Sequence, residues 1–113
     1  MAEKTNPIRF EYEDGREYVL EFSTATVREA EEGGFNINEV GNKPATQVPL
    51  LFYYAFKLHH PDITQEETDS ILYNDLGGLS DDLQKRLVSL YIGHITILAN
   101  KSGKPKNAKM RVI

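Results

Sequence analysis

The sequence predicts one small α+β domain, in which an N-terminal β-hairpin is followed by about four α-helices packed as a small bundle. Three observations predict this fold class. Apolar and polar residues alternate on either side of an Asp-Gly pair over residues 8–22, apolar residues recur at helical spacing further along, and glycine pairs separate helical segments. The 113 residues suffice for one domain, which we place at 8–100, between an N-terminal tail, 1–7, and a basic C-terminal tail, 101–113.

The register of the hairpin follows from the need to keep its apolar side chains on one face. A two-residue Asp-Gly turn would divide them between the two faces and defeat burial. A three-residue loop at 13–15, whose glycine is left-handed, keeps them together. It pairs Phe10 with Tyr18 and Ile8 with Leu20. We therefore predict this loop, and a helix that covers the apolar face, because an isolated hairpin is marginal in water.

The first helix is short and has a signal at each end. It begins within 23–26, where Thr26 and Glu29 have the spacing of a capping box. It ends at Gly33-Gly34, with Phe35 in place for the apolar contact that often follows such an end.

A second helix is predicted from about Gln47 to His60. Thr46 can cap it, Pro49 is tolerable only in its first turn, and Pro61 prevents its continuation.

Caps also mark the third and fourth helices. The third begins at Thr64, which forms a T-x-x-E box with Glu67, and ends near Leu76 before a glycine pair. The fourth begins at Ser80 and is predicted to reach about Asn100.

The second helix is apolar on nearly all sides, which is unusual for a helix at a protein surface. One stripe has the spacing of a core face and consists of Val48, Leu51, Phe52, Ala55, Phe56 and His59. Leu50, Tyr53 and Tyr54 lie on the opposite side, with Lys57 among them. The helix is therefore either central, between the hairpin and the fourth helix, or it presents these three residues to another chain, where tyrosine is favoured.

The fourth helix also has a wide apolar side. Its main stripe consists of Leu83, Leu87, Leu90, Tyr91, His94 and Leu98, and Val88, Ile92, Ile95 and Ala99 widen it. We predict that Val88 and Ile92, on its outer side, join Leu50, Tyr53 and Tyr54 in contacting partner helices or sister subunits.

No arrangement of residues predicts chemistry. The chain has no cysteine, which excludes disulfides, thiolate metal sites and a cysteine nucleophile. His59 and His60 are adjacent, so on a helix they point about 100° apart, and capping and burial explain them better than a metal. His94 is predicted to be a hydrogen-bonded core histidine, and neither glycine pair fits a phosphate-binding loop. We predict no catalytic, cofactor-binding or metal-binding residue, and a protein that is not an enzyme.

Charge and hydropathy set limits on partners. Residues 1–100 hold all 17 acidic residues and 8 of the 13 basic ones, whereas 101–113 hold five basic residues and no acidic one. An acidic body argues against a nucleic-acid-binding face. The basic tail is predicted to be solvated, with folding back on the acidic body included, or to contact phosphates or an acidic partner. The chain lacks a spanning apolar run and a secretory signal, which predicts a soluble intracellular protein with no membrane partner.

A helix-turn-helix is the alternative reading, in which the third and fourth helices are joined at 76–80. The protein would then be a regulatory or DNA-binding adaptor. Its recognition helix would begin with Asp81 and Asp82, which repel phosphates. Lys85 and Arg86 are too few to reverse this repulsion.

The order of segments resembles the small tail-assembly chaperones of long-tailed phages and prophages of Gram-positive bacteria. The resemblance lies in the passages Phe10–Tyr18, Gly33–Ile37, Pro49–Phe56 and Leu79–Leu83. It implies a non-enzymatic protein of the host cytoplasm, absent from the mature virion, that coats the helical tape-measure protein until the tail tube polymerises around it. It also implies self-association, and a longer frameshifted product that recruits the tail-tube protein.

The physical reading and the resemblance agree on a mechanism. A tape-measure protein is expected to expose long apolar helical stripes, so its chaperone needs apolar surface of its own and an acidic remainder that keeps the complex dissolved. Weak, repeated contacts suit a coat that is later stripped away. The competing class is an adaptor that acts on another phage or host protein.

Overall fold

The computed structural model of the protein describes the backbone of residues 7–98 and the side chains of residues 7–95. It confirms the predicted α+β class, with an N-terminal antiparallel hairpin followed by four α-helices. The predicted end of the last helix at Asn100, the residues 1–6 and the basic tail 101–113 lie outside the described residues.

The hairpin has the predicted register. Strand β1 (Ile8–Glu11) pairs with strand β2 (Glu17–Leu20), with Ile8 opposite Leu20 and Phe10 opposite Tyr18. The Tyr12 amide donates to the Arg16 carbonyl at 2.8 Å, and Gly15 has φ +94°, as the left-handed position of the loop requires.

Helix α1 (Thr24–Glu32) begins with a different cap from the one predicted. The cap residue is Ser23, whose Oγ accepts the Thr26 amide at 3.2 Å, while Thr26 Oγ1 accepts the Ser23 amide at 2.9 Å. Pairing Thr26 with Glu29 was therefore wrong, because Thr26 completes the box from within the first turn. The contact predicted at the C-terminal end is confirmed: Phe35 is buried and its amide donates to the Ala30 carbonyl.

Helix α2 (Pro44–Lys57) begins three residues earlier than predicted. Pro44 occupies the first helical position, where a fixed φ is favourable and a missing N–H costs nothing. Thr46 is consequently not the cap, and Pro49 lies inside the helix and is buried. Between α1 and α2, a 3₁₀ turn at Ile37–Glu39 interrupts the predicted loop.

Helix α3 (Gln65–Ser70) has the predicted cap, in which Thr64 and Glu67 bond reciprocally at 3.1 and 3.3 Å. Its continuation differs from the prediction, because the backbone becomes π-helical at Ile71–Asp75 before the glycine pair. The single helix predicted to end near Leu76 is thus two segments of different winding. Helix α4 (Asp81–Leu98) has the predicted cap, with Ser80 Oγ accepting the Leu83 amide at 3.1 Å.

Helix α2 is the centre of the described fold, since it packs against β2, α1, α3 and α4. Four residues of its predicted core stripe are fully buried: Leu51, Phe52, Ala55 and Phe56. Phe10 and Tyr18 of the hairpin pack against Phe56 with tilted and edge-to-face rings, whose centroids lie 6.4 and 5.4 Å from that of Phe56. Two predicted members of the stripe differ: Val48 is half-buried and His59 is exposed. Helix α2 ends at Lys57 and not at the predicted His60, so His59 lies beyond the helix and outside its stripe.

Candidate partner-binding surface

The three residues predicted on the outer side of α2 are half-buried. Leu50, Tyr53 and Tyr54 each pack partly against the core and leave part of the side chain accessible. The rings of Tyr53 and Tyr54 meet edge to face, with centroids 4.8 Å apart, and Leu50 lies one turn before them. The structure therefore brings these three residues together on one helix. Their partial burial lies between the two alternatives that the sequence left open, a fully buried central helix and a surface for another chain.

Tyr54 lies against the end of α1. A β-carbon at Gly33 would be 1.9 Å from the Tyr54 hydroxyl oxygen, so the ring occupies the space that any side chain there would need. Burial, and secondarily Tyr53, raise the pKa of Tyr54. The sequence reading assigned Gly33 only to ending the helix and missed this contact.

Tyr53 keeps a polar neighbour. The Lys57 ammonium nitrogen lies 5.4 Å from the centre of its ring, within the range of a cation–π interaction, and also donates to the Pro61 carbonyl at 3.2 Å. Tyrosine is enriched at protein interfaces and lysine is depleted there, so the interface signal of this pair comes from Tyr53.

The predicted residues of α4 lie one turn apart. Val88 is half-buried against the core, and Ile92 is 44% exposed. Ile95, which is also half-buried, continues the same side of the helix. Leu87, Leu90 and Tyr91 fill the buried side, so the outer residues of α4 are additional to its core face.

Sequence reasoning missed a second accessible apolar area, near the π-helical turn. Tyr73 is 58% exposed, and a groove of about 340 Å³ runs beside it between the start of α2 and the loop before α4. Its lining includes Val48, Pro49, Leu72 and Leu79. No sequence signal indicated this groove, because it depends on where the π-helical turn points Tyr73.

The histidines have structural contacts. His59 Nε2 lies 2.7 Å from Glu21 Oε1, and His60 Nε2 accepts the Val19 amide at 3.0 Å. His60 is therefore neutral, and burial, with a smaller effect of His59, lowers its pKa. The hydrogen bond predicted for His94 is not seen at Nδ1, which is buried without a partner among the described residues.

Two tyrosines bond to carboxylates. Tyr12 donates to Asp75 at 2.6 Å, linking the hairpin loop to the π-helical turn, and burial together with this bond raises the pKa of Tyr12 to about 12. Tyr91 lies 3.5 Å from Glu31, and burial is the main reason that its pKa rises to about 12. Both phenols stay protonated at neutral pH, so these contacts are structural links between elements.

The described part of the chain holds no cluster of three or more histidine and carboxylate side chains suited to a metal ion. Within residues 7–98, no helix is both long and apolar enough to cross a membrane.

Comparison with known proteins identifies a family for the chain. No curated protein and no solved structure is similar to the chain. One family model matches it over residues 1–113, its entire length. The chain therefore belongs to the family described as "Domain of unknown function (DUF5055)".

Proposed function

We propose that this protein is a tail-assembly chaperone of a long-tailed phage or prophage of Gram-positive bacteria. It binds the tape-measure protein in the host cytoplasm, keeps it soluble until the tail tube forms, and is absent from the mature virion. It acts without catalysis, associates with itself, and contacts the tail-tube protein through a frameshifted longer product.

One observation carries the proposal: apolar side chains stay accessible on two helices whose other sides already fill the core. On α2 these are Leu50, Tyr53 and Tyr54, and on α4 they are Val88 and Ile92. A monomer gains no stability from an exposed Ile92, whereas a helical client would bury it. The acidic body supports the same role, since its net charge keeps a complex with an apolar client dissolved.

The helix-turn-helix alternative has less support. Asp81 and Asp82 are exposed at the start of α4, where a recognition helix would meet phosphates. Helix α4 also packs mainly against α1 and α2, and α3 against α2, rather than α3 and α4 against each other.

Co-purification with the tape-measure protein of the same phage tests the proposal. We expect Tyr53→Ser combined with Tyr54→Ser to reduce retention of the client more than about tenfold, because two aromatic contacts of ~1–2 kcal/mol each are removed. Tyr73→Ser, the same change at an exposed tyrosine outside the proposed surface, should retain the client.

Circular dichroism separates binding from folding. A folded double variant that retains the client at the wild-type level would contradict the proposal. An unfolded double variant would show that both tyrosines are core residues. Ile92→Ser, at a site that is 44% exposed, then tests client binding by the same co-purification, and retention at the wild-type level would contradict the proposal.

A further inference from the structure

The two edges of the hairpin differ in how their backbone groups are used. On the β2 edge, the Val19 amide donates to His60 Nε2 at 3.0 Å and the Glu21 amide donates to the Ala55 carbonyl at 2.9 Å. Helix α2 and the turn after it therefore cover this edge. Within residues 7–98, the β1 edge is therefore the one left for pairing with another strand.

The register identifies the backbone groups on the β1 edge. Arg9 lies opposite Val19, and Glu11 lies opposite Glu17. Since the Val19 amide points away from β1, the amides and carbonyls of Arg9 and Glu11 point away from β2. No other residue between 7 and 98 bonds to them. Pro7 lies two residues before Arg9, so its backbone also faces outward. It has no N–H to leave unpaired there, which is why proline is common on edge strands.

The side chains of this edge carry opposite charges on either side of Phe10. Arg9 and Glu11 are both exposed on the outer face of the hairpin. Arg9 binds Glu17 at 2.7 Å, whereas Glu11 has no cationic partner among the described side chains and stands directly opposite Glu17. Two like charges directly opposite each other destabilise a strand pair, so Glu11 gains from any additional cation.

We propose that the β1 edge binds the β1 edge of a second copy of this chain, antiparallel and centred on Phe10. Arg9 then stands opposite Glu11 of the second copy, and Glu11 opposite its Arg9. These are the residues with outward backbone groups, so each such pair exchanges two hydrogen bonds. The order Arg9-Phe10-Glu11 is thus complementary to itself in both backbone pattern and charge, which is why a second copy fits better than an unrelated strand.

The groove beside this edge supports the same occupant. It measures about 260 Å³, and its lining includes Phe10, Tyr12, Ile71 and Leu76. Antiparallel pairing within one sheet points Phe10 of both copies to the same side, so the two helical layers become neighbours. Leu76, which is 39% exposed, then lies next to the second copy. This interface deepens the self-association included in the proposed function, but it is separate from the α2 and α4 surface.

Reversing the charges at positions 9 and 11 tests the interface. The oligomeric state of the full chain is measured by sedimentation at low ionic strength, across a wide concentration range. We expect a dimer for the wild type, and about tenfold or greater weakening for Arg9→Glu and for Glu11→Arg, because each puts like charges in both cross-strand pairs. Mixing these two variants should form a heterodimer, since all pairs become complementary, and the double variant should recover the homodimer. Arg28→Glu and Glu32→Arg are matched controls at exposed positions of α1 and should not change the dimer.

Glu11→Pro tests the backbone without reversing a charge. It removes an outward amide and keeps the bonds within the hairpin, so we expect a folded monomer. Circular dichroism checks folding of every variant, and the heterodimer formed on mixing shows that both single variants are intact. A wild type that is monomeric throughout, or a dimer insensitive to all these changes, would overturn the interface.

Client retention distinguishes the two proposals. If the edge interface is wrong, a monomeric wild type still retains the tape-measure protein; if the chaperone function is wrong, a charge-sensitive dimer retains none. Loss of client from Glu11→Pro, without any dimer in the wild type, would assign the edge to the client and overturn the second copy as its occupant.

Discussion

At the scale of single residues, Gly33 shows that a glycine at the end of a helix can be required by a tertiary contact and not by its backbone angles. Its φ of −83° is ordinary for any residue, so the backbone does not require glycine there; the left-handed position is Gly34, at φ +102°. Glycine is required at 33 because the Tyr54 ring occupies the space above it. The contact fixes the ring at the end of α1 and limits how much of Tyr54 remains available to a partner.

We expect Gly33→Ala to destabilise the protein by about 1–3 kcal/mol, since the new methyl group must displace the Tyr54 ring. In a Tyr54→Ser background the same substitution should cost less than about 0.5 kcal/mol, so a double-mutant cycle in urea should show strong coupling. Gly41→Ala is the matched control, because Gly41 has open space around its Cα and no positive φ. Equal costs of Gly33→Ala in the two backgrounds would contradict the contact.

At the scale of elements, helix starts depend on local side-chain bonds, and these bonds largely follow from sequence. Ser23, Thr64 and Ser80 each accept an amide of the first turn. Helix α2 is the exception, since Lys43 makes no capping bond and Pro44 defines the start instead. Helix α3 has only six residues, so its cap is a large share of its local stability.

Removal of the Thr64 cap should therefore be measurable. We expect Thr64→Ala to lower the free energy of unfolding by about 1 kcal/mol, because the Glu67 amide loses its acceptor, Thr64 Oγ1, and that hydroxyl no longer donates to Glu67 Oε1. Thr24→Ala is the comparison, since Thr24 is exposed and makes no side-chain hydrogen bond among the described residues; its effect should stay within about 0.5 kcal/mol. Urea unfolding of both variants checks this, and equal losses would mean that the cap is unimportant.

At the scale of the whole molecule, the hairpin and helices form two layers joined through the end of α2. Aromatic packing of Phe10 and Tyr18 on Phe56 supplies the apolar part of the contact. The bond from Val19 to His60 supplies a polar part, and it requires an unprotonated Nε2. Protonation of His60 therefore opposes the docking of the hairpin on α2.

The pH dependence of stability follows from the direction of this shift. The pKa of His60 is lowered in the folded state, so the unfolded chain takes up the proton first, at its ordinary value of about 6.5. Stability from neutral His60 is fully present above that pH, and it falls as the pH drops from about 6.5 toward the folded-state pKa.

Chemical unfolding at a series of pH values measures this loss. His60→Gln keeps an acceptor for the Val19 amide without titrating and should flatten the decline. A decline that is unchanged in His60→Gln would contradict the assignment.

The fold class, the hairpin register and the caps at Thr64 and Ser80 could be predicted from the sequence, because they depend on neighbours within a few residues or on a period of two. The sequence also identified α2 as unusually apolar. It paired the wrong residues in the cap of α1, where two capping signals competed, and it misplaced the start of α2, which a proline defines without a cap. Nothing local predicted the π-helical turn at Ile71–Asp75, which depends on how Ile71 and Leu72 reach the core.

Tertiary structure alone decided which apolar residues remain accessible. Helical spacing predicted a partner contact for Leu50, Tyr54 and Ile92 alike. In the structure, the end of α1 covers much of Tyr54, while Ile92 stays exposed on α4. The same is true of the two hairpin edges, since the bonds from β2 to Ala55 and His60 join residues far apart in the chain. Exposure is a property of what packs against a residue, and spacing along a single helix or strand holds no information about the element that covers it.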